Sequence, residues 1–402
     1  MGHHFRCLSS TFPELPRLAQ NLGRRGKISL PYPVLMSTKP AYLVILGCGQ
    51  VGRSLLELVG ASLKFAKHSG VRVLAVFDSK HGIVGDHLGG PALQTIIESK
   101  LANKRLGDVQ GIGGSCVTQE ASEAWETVMK LSAQRDVVVA DCSASEETTP
   151  MLVQALDLSM GVVLANKKPI SGPMEVFRTF VGHGPLFRHE STVGAGSPFI
   201  TSFGRIVAAG DRVEKVAGVF SGTLAYVMTG LEDGKKVSDV VVEAKSLGFT
   251  EPDPRDDLGG VDVARKALIL ARMMGWELEM KDVRLESMVP EECSAAAMPL
   301  DDFMSRGLQQ MDAPMRQKVQ DASAKGEVLR YAATIENGAC NVGLVSVSKD
   351  TPLGRLRGTD NMLCVSTGCY TPSPLVIQGA GAGPMCTALG VMADAIEVFN
   401  AM

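Results

Sequence analysis

The chain has 402 residues, enough for two domains with separate cores. Apolar residues make up 45% and charged ones 21%, which excludes disordered and fibrous classes, and a formal charge of −3 offers no basic footprint for nucleic acid. No apolar run is long enough to cross a membrane, and nine scattered cysteines without a C-x-x-C pair fit free thiols in a reducing compartment better than a disulfide framework.

Residues 1–38 lack a periodic apolar pattern. Arg6, Arg17, Arg24, Arg25 and Lys27 face one acid, Glu14. An organelle transit peptide, a disordered extension and a misassigned start all fit that composition. The cytoplasm or an organelle is therefore the expected location.

The first domain-like pattern is a buried-strand run, Ala41 to Leu46, that ends in Gly47-Cys48-Gly49-Gln50-Val51-Gly52 and passes into a helix through Leu55, Leu56, Leu58 and Val59. This is G-x-G-x-x-G in the context it requires. The first glycine makes the turn, the second lets backbone approach a pyrophosphate, and the third allows close packing of helix on strand. Free N–H groups at the helix start then face the phosphates. A second strand, Val71 to Phe77, ends at Asp78, where an acid either bonds the adenosine ribose or caps a turn; Ser79 and Lys80 follow and mix the NAD and NADP signals. Two more buried strands run into Asp141-Cys142-Ser143 and into Asn166-Lys167-Lys168. Ligands of open parallel sheets lie beyond such strand ends, so Ser143 and Lys167 are candidates, with a solvated loop lysine as the alternative for Lys167.

The stretch His189-Glu190-Ser191-Thr192-Val193-Gly194-Ala195-Gly196-Ser197 can turn carbonyls toward a common point beside the Glu190 carboxylate, as a cation site or as a plain connection. A strand from Val213 to Phe220 leads to Ser221-Gly222-Thr223, which can cap the helix that follows. Next comes the acidic loop Glu251-Pro252-Asp253-Pro254-Arg255-Asp256-Asp257. Its prolines predict a rigid, non-helical arm, with a helix from about Leu258. Asp262 and Lys266 are four apart and share one face of that helix. A solvated ion pair is the plain reading; together with Glu251 and Asp257, the pair can instead bind a small zwitterion and keep an amine near a reacting oxygen. A helix is expected between about Asp301 and Ser323. The runs Val328–Ile335, Asn341–Val347 and Met362–Thr367 then suggest an antiparallel sheet backed by helices. Leu375 to Gln378 enters Gly379-Ala380-Gly381-Ala382-Gly383, and a last helix from Thr387 to Phe399 returns to the cofactor domain. The expected class is α/β: an N-terminal Rossmann dinucleotide-binding domain (39–188), an α+β substrate and dimerisation domain (189–378) and a C-terminal return (379–402).

These motifs, with Ala165-Asn166-Lys167-Lys168-Pro169, Phe220-Ser221-Gly222-Thr223-Leu224 and Gly358-Thr359-Asp360-Asn361, resemble the homoserine dehydrogenase family from about residue 41 to 399. The resemblance is to the short monofunctional form, without an ACT domain. It implies NAD(P)-dependent interconversion of L-homoserine and L-aspartate 4-semialdehyde, on the route to threonine, methionine and isoleucine. It further implies that Gly47 to Gly52, Ser143 and Gly383 touch NADP or NAD, and that Lys167 lies between nicotinamide and substrate. Glu251 would bind the substrate ammonium with Asp257 nearby, Asp262 would contact substrate, and Lys266 would transfer the proton. Glu190 with the carbonyls of Val193, Ala195 and Ser197 matches the family's monovalent cation site, usually sodium. Relatives are homodimers, and neither nucleic acid nor membrane is an expected partner.

The residues permit the same chemistry. All seven histidines (3, 4, 68, 81, 87, 183 and 189) precede the core of the second domain, which leaves a lysine as the proton acceptor for an alcohol. Asp262 would favour its charged form and Lys167 would oppose it. The alternatives are another Rossmann amino-acid or semialdehyde oxidoreductase, for which Cys142 would be the nucleophile, and a cofactor-binding sensor without activity.

Overall fold

Why the first sheet forms is visible in its strands. β1 (Ala41–Leu46), β2 (Val71–Phe77), β5 (Asp136–Asp141) and β6 (Gly161–Leu164) are nearly unbroken runs of Val, Ile, Leu and Ala with little surface exposed. Such runs suit strands covered on both faces. A computed structural model of the chain describes residues 40–65, 70–113 and 116–402; the expectations for 1–38 lie outside these. Within them, β3 (His81–Leu88), β4 (Val117–Glu120) and β7 (Phe187–Arg188) complete a seven-stranded sheet of order β4-β3-β2-β1-β5-β6-β7. The central strands are parallel, while β3 and β4 are antiparallel additions at one edge. That edge was not legible, because His81-Gly82-Ile83-Val84-Gly85-Asp86 has neither an apolar run nor clean alternation.

Helices cover both faces. On one side lie Gln50–Phe65, Gly90–Leu101 and the C-terminal Pro384–Ala401; on the other lie Ala121–Ser132, Thr149–Asp157 and Met174–Gly182. The C-terminal helix fits so closely that a Cβ on Gly161 of β6 would fall 2.3 Å from the Val398 side chain.

A second, six-stranded sheet has the order β13-β12-β8-β10-β11-β9. Its members are β8 (Val213–Val219), β9 (Arg284–Leu285), β10 (Glu327–Glu336), β11 (Ala339–Ser348), β12 (Asp360–Thr367) and β13 (Leu375–Ala380). All pairs are antiparallel except β9 with β11. Thus Leu375–Ala380 ends the second sheet at its edge before the chain crosses back to the first. Helices Gly222–Glu232, Val261–Met273 and Asp312–Ser323 back this sheet.

Two local expectations change. The arm before Asp262 is not wholly extended: Asp253 caps a short helix, Pro254–Leu258, by accepting from Arg255 N–H at 3.0 Å. Proline is tolerated in that first turn because its missing N–H needs no partner there. The main helix then starts at Val261, after Gly260 with φ +72°. The stretch between Asp301 and Ser323 is helical as expected, but in pieces: a π-helical segment, Phe303–Gly307, precedes the helix Asp312–Ser323.

Candidate active site

A cleft of about 950 Å³ opens between the carboxyl ends of the first sheet and the strand-to-helix turns of the second. The glycine turn after β1 forms its floor. Gly47 has φ +88°, and a Cβ there would meet Ser143 backbone at 2.7 Å; one on Gly52 would fall 2.1 Å from the Gly47 carbonyl. Both glycines are therefore demanded by the protein's own packing. Gly49 is different: a side chain there meets nothing within 4 Å, and the residue faces the cleft. Its smallness matters to whatever enters.

Asp78 lines the same cleft, but its carboxylate is already engaged. Oδ1 accepts from Lys80 N–H at 3.0 Å and His81 N–H at 2.9 Å, and Oδ2 from Leu106 N–H at 2.7 Å, with the Lys100 ammonium 3.7 Å away. Burial works against the charge. The N–H groups of Leu106, His81 and Lys80, then Lys100, outweigh it and hold the carboxyl below its ordinary range. Of the two readings open for Asp78, turn capping is the one the geometry displays.

Beyond β5 and β6 a polar network fixes the loop ends. Asp141 is fully buried and accepts from Ser143 N–H (2.9 Å), Thr148 Oγ1 (2.7 Å) and Asn166 Nδ2 (2.9 Å). Asn166 Oδ1 accepts from Lys168 N–H at 3.1 Å, so the amide aims the backbone that carries Lys167. Sequence reasoning gave Asp141 no role, because a strand-terminal acid does not announce which backbone it will hold.

The acidic loop and its helix meet this network across the cleft. Lys266 Nζ donates to Asp262 Oδ2 at 2.7 Å and to the Phe220 carbonyl at 2.6 Å. Lys167 Nζ reaches Asp262 Oδ1 at 3.2 Å, so one carboxylate bridges two ammonium groups from two sheets. Burial disfavours the Lys266 ammonium, Asp262 favours it and Lys167 opposes it; the net effect lowers the Lys266 pKa. Asp262 keeps half of its side-chain surface open. Burial raises its pKa, but Lys266 and then Lys167 prevail and hold it well below the carboxylate range. This is more than the solvated i,i+4 pair of the plain reading, since Lys266 is only 10% exposed.

Glu251 lines the cleft with an exposed side chain, and its N–H donates to Asp257 Oδ2 at 2.8 Å. Asp257 Oδ1 lies 3.1 Å from Thr223 Oγ1, and burial, followed by the nearby acids Glu251 and Asp262, raises its pKa. Asp257 thus holds the Glu251 loop from behind. Thr223, on the helix that Ser221 caps through Leu224 N–H, shares that role.

Cys48, Gln50, Val51, Ser143, Lys167, Ala195 and Gly383 also line the cleft, and Asp262 sits between its two lysines; Gly52, Glu190, Val193, Ser197 and Asp257 do not line it. Glu190 accepts from Ile200 N–H (2.7 Å) and Thr201 N–H (2.9 Å), capping the helix Phe199–Ala208, while Ser197 carbonyl accepts from Phe199 N–H at 2.7 Å. Burial raises the pKa of Glu190. Among the described residues no group of three His, Cys, Asp or Glu side chains could hold a metal ion. His189 is buried, stacked on Phe187 and pushed down to about 4 by that burial, so its ring is neutral and structural. Burial lifts the Cys48 thiol to about 12 and raises Cys142 as well. Nucleophilic catalysis needs a thiolate, so the environment of Cys142 disfavours the semialdehyde-dehydrogenase alternative.

A glycine turn facing the cleft from a largely parallel sheet, opposite a second domain that presents a buried lysine, defines a two-domain protein of the Rossmann dinucleotide-binding class. A family model described as homoserine dehydrogenase matches residues 198–396. The homoserine dehydrogenase of Saccharomyces cerevisiae is 30% identical over 374 residues, covering 90% of this chain and 99% of that protein. The chain belongs to the homoserine dehydrogenase family. The bifunctional aspartokinase/homoserine dehydrogenase of Haemophilus influenzae is 33% identical over 89% of this chain, which spans 43% of that longer protein. A solved Candida auris protein of unknown function superposes with a TM-score of 0.76 at 29% identity, over 89% of this chain and 98% of that one. No helix among the described residues is long and apolar enough to cross a membrane.

Proposed function

We propose that the chain interconverts L-homoserine and L-aspartate 4-semialdehyde with NADP as the preferred dinucleotide. The observation that carries this reading is Lys266, an enclosed amine whose pKa is lowered, facing the dinucleotide turn across one cleft. A dinucleotide held by the glycine turn would supply the hydride acceptor for oxidation and the donor for reduction; Lys266 would take the hydroxyl proton of the alcohol in one direction and return it in the other. Glu251 binds the substrate ammonium, and Asp262 holds Lys266 and Lys167 on either side of the reacting group. Ser143, Gly383 and the turn from Gly47 to Gly52 receive the dinucleotide. The preference for NADP rests on Asp78, whose carboxylate already accepts three backbone N–H groups, and on Lys100, Arg53 and Ser79, which line the same cleft and suit a phosphate better than a diol.

The reading extends to a monovalent cation and to a homodimer built on the second domain; the return to the cofactor domain, expected from 379, follows β13, which ends at Ala380. The hard oxygens of Glu190, Val193, Ala195 and Ser197 suit such a cation, since Glu190 is a buried carboxylate with lone pairs to spare. Steady-state assay with L-homoserine against NADP and NAD separately tests the proposal. Homoserine-dependent formation of reduced dinucleotide is expected, with kcat/KM higher for NADP; no turnover with either would refute it.

A further inference from the structure

Asn361 is the first interior residue of β12, and none of its surface is exposed. It stands between two parts of the site. Across one edge it pairs with Gly379 of β13. Across the other, Met362 pairs with Val219, which sets Asn361 beside Phe220, the residue whose carbonyl accepts from Lys266. The amide is pressed against the turn that follows β13: a Cβ on Gly381 would fall 1.9 Å from its Cγ and Nδ2. Nδ2 approaches the Gly381 carbonyl at 3.4 Å, and Oδ1, although buried, has no donor among the described residues. Flipping the amide would set its oxygen against the Gly381 carbonyl oxygen, so the network assigns Nδ2 to that side.

A buried amide that makes one long hydrogen bond and leaves its oxygen unmet stabilises the fold less than a leucine of similar size would. An unmet buried oxygen of this kind points to a role other than stability. The Gly381 carbonyl is its one hydrogen-bonding partner among the described residues, and Gly381, Ala382 and Gly383 line the cleft. We propose that Asn361 is a positioning residue that holds the Gly381–Gly383 turn at the distance from Lys266 that the dinucleotide requires. The turn has no side-chain anchor of its own, being glycine, alanine and glycine. Thr387 Oγ1 donates to the Gly383 carbonyl at 3.0 Å and holds the helix end of the turn; Asn361 holds its strand end, from the strand next to the one that delivers the Phe220 carbonyl.

The inference rests on the proposed dinucleotide site, and its test reads binding without turnover. The full chain and its Asn361→Leu and Asn361→Asp variants are titrated with NADPH by fluorescence, and apo melting temperatures are recorded. Asn361→Leu is expected to keep or raise the apo melting temperature while weakening NADPH by about fivefold or more, the weight of one hydrogen bond. Asn361→Asp, which loses the donor, should bind no better than Asn361→Leu. Wild-type affinity in either variant would overturn the proposal. So would a collapse of the apo fold in Asn361→Leu, which would make the amide structural. A wild-type protein that binds NADPH but fails to oxidise homoserine would refute the proposed reaction and leave this inference standing.

Discussion

Lys266 owes its chemistry to three neighbours that pull in different directions. Burial and the Lys167 ammonium disfavour its charge, and Asp262 favours it. To accept a proton from homoserine the amine must be free, so kcat for oxidation should rise with pH through the folded pKa, which lies below the ordinary 10.5. Asp262→Asn removes the favourable partner and should move that rise to lower pH. Lys167→Ala removes the repulsion and should move it to higher pH. Both variants are expected to turn over more slowly, but the midpoint of the pH–kcat profile is the readout. Shifts in the same direction, or none, would mean that the profile reports some other group.

Two elements set where that lysine stands, and each offers a test. The helix Val261–Met273 begins after Gly260, whose φ is +72° and whose absent Cβ would fall 2.0 Å from the Tyr331 hydroxyl. Gly260→Ala should therefore destabilise the protein by about 2 kcal/mol or more in chemical denaturation, from left-handed strain plus the clash, and should lower kcat by shifting Asp262. An unchanged unfolding midpoint would contradict the geometry. The helix Gln50–Phe65 begins beside Gly49, where a side chain has open space. Gly49→Val should thus fold normally and lose dinucleotide affinity; an unchanged KM for the dinucleotide would refute the turn's assignment.

These elements also show what the sequence makes legible. Asp262 and Lys266 could be paired from their spacing, because a helix has one period and the partners lie within it. The break at Gly260 and the short helix Pro254–Leu258 could not. Both depend on Tyr331 and Arg255 finding partners far along the chain: Tyr331 hydroxyl donates to Glu286 carbonyl, and Arg255 to the carbonyls of Cys293 and Met298. The role of Asp78 was half legible, since its position at a strand end is local but its bond to Leu106 is not. Asp141 and Asn361 were illegible as contributors, because each acts on backbone brought near only by the sheet.

At the scale of the whole molecule, the cleft exists because the chain crosses from one sheet to the other and back. The first sheet brings the glycine turn, Ser143 and Lys167; the second brings Glu251 and Lys266. The C-terminal helix then lies along the first sheet, so the Gly381–Gly383 turn spans both. Asp262 ties the halves together through Lys266 on its own helix and Lys167 on the other domain. The central claim is that this shared site moves a proton through Lys266. The most direct measurement is kcat for homoserine oxidation by Lys266→Ala, with NADPH binding recorded on the same sample. The account predicts a fall of roughly 10²–10⁴-fold in kcat with dinucleotide affinity little changed. A variant that turns over at near the wild-type rate would contradict it and pass the proton-transfer role to Lys167.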